Sequence, residues 1–262
     1  MQNVALTATL TSDQLKLLPV QMGYQNVKVI QETPDRPNIY LDLGLKESNI
    51  DVLTTYEQIY EPLCLALRFE EEPPVTLLYM PMEYINRAMR FCFKLFELDE
   101  DTTIFNPTVK FCAMFSKQDI GIVKEFFAQF RSETPRLRLI FCTSTLGMGF
   151  DSPAITRIIH VMPPRRLTDY FQQVGRAGRR GQPSYAILHY NKSDLKLSNM
   201  EQAMAEYCTR NECLRQILLE HYGFQKNAMS PVGCACCCYC KRKCACQTCK
   251  AGALFQELNL TL

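Results

Sequence analysis

Short runs of apolar residues alternate with longer amphipathic stretches through most of the chain. Val75 to Tyr79, Val109 to Phe115, Leu137 to Cys142, Ile158 to Met162 and Ser184 to Tyr190 have strand length and are rich in apolar residues. Such runs suit strands buried on both faces. Asn38 to Leu43 opens the series as a further strand. Between these runs lie stretches of helical length: Ser48 to Tyr60, Glu83 to Leu98, Asp119 to Phe130 and Leu167 to Val174. In the second of them Ile85, Met89, Phe93 and Phe96 mark one apolar face, which reads as core rather than as a base-stacking surface. Strands and helices alternating at these lengths predict an α/β fold, a parallel sheet with helices on both faces.

The two ends of the chain break this rhythm. Val4-Ala-Leu-Thr-Ala-Thr9 reads as a short strand ending in hydroxyls, Ser12 to Leu18 as a short helix with a hydroxyl N-cap, and Val27 to Ile30 as a strand. Pro34 and Pro37 break any helix around Asp35-Arg-Pro-Asn-Ile39, so a domain boundary is expected there. Asp194 to Tyr207 reads as a helix polar on one side. Cys213 to Gly223 has helical periodicity, with Leu214, Ile217, Leu218 and His221 on one side. The expected segments are 1–34, 35–193, a small helical cysteine-rich subdomain at 194–250, and a tail at 251–262.

Composition changes the picture in two places. The 262 residues are 47% hydrophobic, enough for a substantial core. The formal net charge of +2 decides nothing about partners, but Arg157 to Arg180 holds six arginines against the single Asp169, a basic strip. No apolar run reaches membrane-span length and the N-terminus lacks the layout of a signal peptide, so no membrane partner and an intracellular location are expected. Of 14 cysteines, eight fall between Cys234 and Cys249, which reads as a set of thiolate metal ligands rather than a disulfide scaffold. Cys234, Cys237 and Cys240 supply two consecutive C-x-x-C steps. Cys236, Cys238, Cys244, Cys246 and Cys249 leave the register open, and Cys246-x-x-Cys249, with Cys244, is available for a second site. A closed thiolate set leaves no position for a catalytic water, so the metal is expected to be structural. Lys241-Arg-Lys243 places three positive charges inside the cluster.

The candidate chemistry lies in two stretches. Leu139 to Pro153 runs from a buried strand into a turn rich in hydroxyls and glycines, where backbone can approach a ligand closely and hydroxyls can meet phosphate oxygens. Asp169 to Gly181 places Arg176 and Arg179 three residues apart, so that on a helical turn both would point the same way. Arginine is always charged and forks onto phosphate oxygens, which suits phosphoryl transfer. One arginine reads as a solvated charge; the pair within Gly-Arg-Ala-Gly-Arg, beside a glycine-rich strand exit, reads as a site. His160, inside a strand, reads as a core or sheet-edge histidine rather than a catalytic one.

Thr143-Ser-Thr-Leu-Gly-Met-Gly-Phe-Asp151 resembles motif V of superfamily 2 helicases, and Gln172-Gln-Val-Gly-Arg-Ala-Gly-Arg179 resembles motif VI. The form of both, with Gln opening motif VI, is that of the RecQ family of DNA helicases. The segment at Val4 resembles motif III, and Asp35 to Ile39 resembles the passage from the first motor lobe to the second. The resemblance implies the second RecA-like lobe and zinc-binding subdomain of an ATP-dependent 3′ to 5′ DNA helicase. It implies Arg179 as arginine finger, Arg176 as its phosphate-contacting partner, Gln172 as a nucleotide-side hydrogen-bonding group, and Gly149 and Asp151 at the nucleotide edge. Thr143 and Ser144 are implied as DNA-backbone contacts. Cys213 with Cys234, Cys237 and Cys240 reproduces the family's zinc pattern. The implied cofactors are Zn2+ and ATP with Mg2+, the latter shared with a first lobe. The implied partners are single-stranded and duplex DNA and that first helicase lobe, in cis or in trans, with residence in the nucleus.

The sequence departs from the family at Cys112-Ala-Met-Phe-Ser-Lys117, which stands where a Tyr-His-Ala-Gly turn is usual; Ser116 and Lys117 are left as possible phosphate contacts. No Gly-x-x-x-x-Gly-Lys-Ser/Thr loop and no Asp-Glu-x-His box occurs within the 262 residues, so these residues alone are expected neither to hydrolyse ATP nor to unwind DNA. The competing reading is a non-enzymatic, zinc-containing DNA-binding module derived from a helicase. A lobe of an RNA helicase is disfavoured by the zinc pattern and the Gln-led motif VI.

Overall fold

A computed structural model describes residues 7, 10–144, 152–247 and 249. Most of the Val4 to Thr9 stretch, together with Gly149, Asp151 and the tail from 251, lies outside the described residues. The chain divides into two compact units: Asn38–Cys208, and the residues up to Pro37 together with those from Thr209 onward.

Among the described residues, six strands make up the sheet of the first of these units: β1 Ile39–Leu45, β2 Thr76–Tyr79, β3 Phe111–Met114, β4 Leu139–Cys142, β5 Arg157–His160 and β6 Ser184–Tyr190. All pair in parallel, in the order β1-β6-β5-β2-β4-β3. The helices of this unit are α2 Val52–Phe69, α3 Met82–Leu95, α4 Ile120–Gln129, α5 Leu167–Val174, α6 Lys192–Leu195 and α7 Gln202–Thr209; α1 (Ser12–Gln21) precedes them in the chain. The steps β1 to β2 and β2 to β3 run toward one edge, and the chain then returns through β4, β5 and β6. Because parallel crossovers are right-handed, α2 and α3 cover one face and α4 and α5 the other. The winding direction changes beside β2. The carboxyl ends of β2, β4 and β5 therefore meet where open α/β sheets bind ligands.

The core follows from the apolar runs. Every residue of β2 and β4 is buried, and Phe111, Phe126, Phe130 and Phe141 are fully enclosed. Burial of each such side chain contributes about 1.5–3 kcal/mol. On α3 the buried stripe is Ile85, Ala88, Cys92 and Phe93, with Met89 and Phe96 only half-buried, so the inward face is rotated from the one expected. Helix α2 starts four residues later than expected because Asp51 caps it, accepting from Thr54 N at 3.0 Å and Thr54 Oγ1 at 2.6 Å. It also continues past Tyr60 and through Pro62, where burial of Cys64 and Leu67 offsets the proline's lost hydrogen bond.

Two expected elements are absent. Val27 to Ile30 forms no strand; its valines and isoleucine are exposed, and a strand with no ladder partner has nothing to hold it. Asp194 to Tyr207 is not one helix but α6 and α7, separated by a turn at Asn199 with φ +65°. Asparagine tolerates that left-handed conformation. Both pieces belong with the sheet unit rather than with the cysteines. Asp194 bonds the buried Lys46 amine at 2.7 Å, and Tyr207 OH donates to Tyr170 OH at 3.4 Å. The Lys46 amine also donates to Val161 O at 2.8 Å; burial pulls its pKa down and Asp194 pulls it back.

In the other unit α1 runs three residues longer than expected, with Thr11 and Gln14 forming its capping box. Helix α8 is Leu214–His221, and α9, Cys238–Arg242, follows a tight turn at Gly233–Ala235. Arg215 and Asp35 form a buried ion pair. Arg215 also donates to Arg36 O at 3.0 Å, and Ser230 Oγ donates to Asp35 at 2.6 Å. The segment around Asp35 is therefore anchored to α8, and the boundary falls after Pro37. No helix among the described residues is long and apolar enough to cross a membrane.

Candidate functional site

Strand β4 delivers Thr143 and Ser144 to the carboxyl edge of the sheet. Thr143 N donates to Met114 O at 3.2 Å, extending the ladder by one residue, and Ser144 is exposed. The chain beyond Ser152 is stitched to the loop that follows α5: Gly178 N donates to Ile155 O at 2.9 Å and Gln182 Nε2 to Pro153 O at 2.5 Å. From the start of β1, Asn38 Nδ2 donates to both Gly178 O and Gln182 O at 2.8 Å. Gly178 sits at φ +63°, and a Cβ there would lie 2.3 Å from Asn38 Nδ2. Only glycine allows the loop to be clamped this way.

Helix α5 carries the expected Gln172 on its exposed side, while its neighbour Gln173 is buried. Gln173 Oε1 meets His160 Nε2 at 2.7 Å, and the imidazole stacks on Tyr79 at 4.7 Å between ring centroids. Burial pushes the His160 pKa down to about 4, only partly offset by Gln173, so the ring is neutral at pH 7. His160 is thus a core histidine that anchors α5 to β5.

The two arginines are set in different surroundings. Helix α5 ends at Val174 with Gly175 as C-cap, and Gly178 then turns into the left-handed region, so Arg176 and Arg179 share no helical turn. Arg176 is only 5% exposed, and Arg179 is exposed. The Arg176 guanidinium lies beside the Tyr79 hydroxyl and the Cys142 thiol. Burial raises both of their pKa values and the arginine's charge pulls both back. A fixed cation therefore stands at the carboxyl ends of β2 and β4, and a second projects from the clamped loop. Arg180 pairs with Glu133.

Asn38, Gln173 and Tyr79 join the site in the structure and are not among the candidate site residues of the sequence. Gln173 had a signal: Leu167, Tyr170 and Gln173 recur at helical spacing, so Gln173 falls on the buried face of α5.

The cysteine unit gathers Cys213, Cys236, Cys237 and Cys240 so that all four Sγ atoms lie within 4.8 Å of one another, with Cys213 and Cys236 at 3.6 Å. Cys236 takes the place expected for Cys234. The physical reason is the turn at Gly233–Ala235, opened by Gly233 at φ +57°, which separates Cys234 from the inner thiols. Cys234 lies instead with Cys244, Cys246 and Cys249. Cys213 occupies the N-cap position of α8, and Cys237 and Cys240 are one turn apart at the start of α9. Four thiolates around zinc, with Zn–S near 2.3 Å, stand about 3.8 Å from one another, so the inner set fits that ion. Lys226 Nζ lies 3.7 and 3.9 Å from Cys213 and Cys236 Sγ, placing a positive charge beside the thiolates.

Residues 75–181 match the helicase conserved C-terminal domain family. The chain is similar to the putative ATP-dependent RNA helicase R290 of Acanthamoeba polyphaga mimivirus, 24% identical over 240 residues, which cover 84% of this chain and 39% of that protein. It is similar to the bifunctional 3'-5' exonuclease/ATP-dependent helicase WRN of Mus musculus, 24% identical over 258 residues, 90% of this chain and 17% of that one. It is also similar to ATP-dependent DNA helicase RecQ of Bacillus subtilis, 29% identical over 104 residues, 33% of this chain and 18% of the relative. The chain thus spans well under half the length of these relatives. Among solved structures, S. cerevisiae Dbp5 bound to RNA and ADP BeF3 superposes with a TM-score of 0.53 at 14% identity, covering 78% of this chain and 48% of that one, a likeness of fold.

Proposed function

Because this chain carries the C-terminal, RecA-like lobe of a RecQ-type superfamily 2 helicase, we propose that it supplies one wall of the ATP site of a 3′ to 5′ DNA helicase. The observation that carries this proposal is the pair of arginines on the loop after α5. Arg176 is buried beside Tyr79 and Cys142, and Arg179 is exposed on a loop clamped by Asn38.

In this proposal Arg179 is the arginine finger. An exposed guanidinium on a fixed loop can reach phosphates held by a facing lobe, and its charge offsets the charge developing on the transferred phosphoryl oxygens. Arg176 contacts phosphate from the sheet side, with little conformational freedom left to lose. Gln172, on the exposed side of α5, hydrogen-bonds toward the nucleotide. Gly149 and Asp151 keep the nucleotide-edge role that the resemblance implies. Thr143 and Ser144 grip the DNA backbone and so carry no sequence preference. Mg2+ accompanies ATP on the facing lobe. Opening and closing of the two-lobe cleft alters the spacing of the DNA grips and steps the motor along the strand. Zinc held by Cys213, Cys236, Cys237 and Cys240 fastens α8 to the cysteine loop and takes no part in the chemistry. Residence in the nucleus belongs to the same proposal.

The test joins this chain to a RecQ-type first lobe and measures ATPase with and without single-stranded DNA. DNA-stimulated hydrolysis in the joined protein, absent from the 262 residues alone, supports the proposal. DNA binding without any restored hydrolysis replaces it with the binding-module reading.

A further inference from the structure

We propose that Cys234, Cys244, Cys246 and Cys249 form a second, outer zinc site, distinct from the set built on Cys213. The four Sγ atoms lie within 4.8 Å of one another, and Cys234 and Cys246 stand 3.8 Å apart, the edge length of a tetrahedral zinc–thiolate centre. The two sets share no residue. A disulfide joins thiols in pairs; mutual convergence of four is the geometry of a single central ion. The donor set is all sulfur, without histidine or carboxylate, which selects zinc or iron over hard cations. On binding, each thiol releases its proton to solvent as its sulfur–metal bond forms.

Two further observations point to this site. First, no described residue from Lys241 to Cys249 is buried, so no apolar core explains why this return folds back onto Cys234. A central ion supplies that cross-link. Second, Gly233 borders the outer set: it holds φ +57°, and a Cβ there would stand 3.3 Å from Cys244 Sγ. The turn is thus open on the side where the Cys244 thiolate sits.

The chain passes through the sites in the order outer, inner, outer: Cys234, then Cys236, Cys237 and Cys240, then Cys244 to Cys249. Helix α9 runs from the inner ligands toward the outer ones. Lys241, Arg242 and Lys243 are consequently tethered at both ends, and their charge offsets the negative charge of a four-thiolate zinc centre. The outer site therefore fixes a basic turn in place.

The test is the metal content of the purified full chain by mass spectrometry. Two zinc ions per chain are expected, and one in the Cys246→Ser/Cys249→Ser double variant. One zinc in the wild type, or two retained in the double variant, overturns the proposal. Iron in place of the second zinc overturns the assignment of the metal. If the double variant does not fold, Gly233→Ala decides: it keeps every thiol but crowds Cys244. It is expected to surrender one zinc to a chelator faster than the wild type while holding the other; release of both at wild-type rates argues against the outer site.

Discussion

The sheet unit and the cysteine unit are stabilised by different physics, although each contains a buried ion pair. In the sheet unit, Lys46–Asp194 ties α6 to the end of β1, in a sheet whose strands β2 and β4 are buried along their whole length. In the cysteine unit, Arg215–Asp35 ties the segment before the sheet to α8, whose Leu214, Ile217, Leu218 and Leu219 are buried. Beyond α8, sulfur takes over: Cys236, Cys237 and Cys238 are the buried residues of the 233–247 stretch. A unit held by apolar area tolerates the loss of one contact. A unit held by a few ligand bonds loses its organisation when one ligand goes.

The largest expected effect follows from that contrast. Structural zinc is worth about 10–16 kcal/mol of apparent binding free energy, most of it coupled to folding. Cys237→Ser should therefore abolish zinc at the inner site and cooperative folding of the 213–247 region. Amide hydrogen exchange should show lost protection there and unchanged protection in β2 and β4; protection lost throughout both units would erase the distinction.

Asp194→Ala leaves the Lys46 charge buried without its partner and should cost about 3–5 kcal/mol of sheet-unit stability in urea titration. A cost near zero would mean that Val161 O and water suffice for the amine.

Acid should act on the sheet unit through His160 and His189, both held at about 4, chiefly by burial. Below the ordinary histidine range the unfolded chain takes up protons that the folded chain refuses. Stability is therefore full above about pH 6.5 and falls as the pH drops toward 4, by on the order of 3 kcal/mol for a fully buried histidine. His160→Gln should flatten part of the slope between pH 6.5 and 4; an unaltered slope would remove His160 as its source.

A smaller effect is expected from Asn38→Ala, which removes both hydrogen bonds onto the loop carrying Arg179. At about 1 kcal/mol per bond, ATP turnover in the joined protein should fall roughly 30-fold with zinc content unchanged. Unchanged turnover would mean that the loop holds its shape through Gly178 alone.

The same contrast explains what the sequence disclosed. The bounds of α5 and β6 coincide with the apolar pattern, because a buried element needs apolar residues along its length. The second arginine was legible as a residue and not as a geometry: the opposite settings of Arg176 and Arg179 depend on Gly175 and on the left-handed Gly178, and spacing of three alone implied a helix. The cysteine register was not legible, since Cys236, Cys237 and Cys238 are consecutive and a C-x-x-C step from Cys234 is as regular as any other. What decides it is a backbone turn at Gly233, which no count of cysteines encodes. The clamp made by Asn38 has no local signature, because its partners, Gly178 and Gln182, are 140 and 144 residues away.

In the proposed function the chemistry lies in the sheet unit and the cysteine unit plays a structural part. The most direct test is ATP turnover by the joined protein carrying Arg179→Ala, with DNA affinity and zinc content measured on the same sample. Turnover lower by about 10³-fold or more, at unchanged zinc and DNA affinity, is the predicted result. Turnover within a few-fold of the unsubstituted protein would contradict the placement of the finger on this loop.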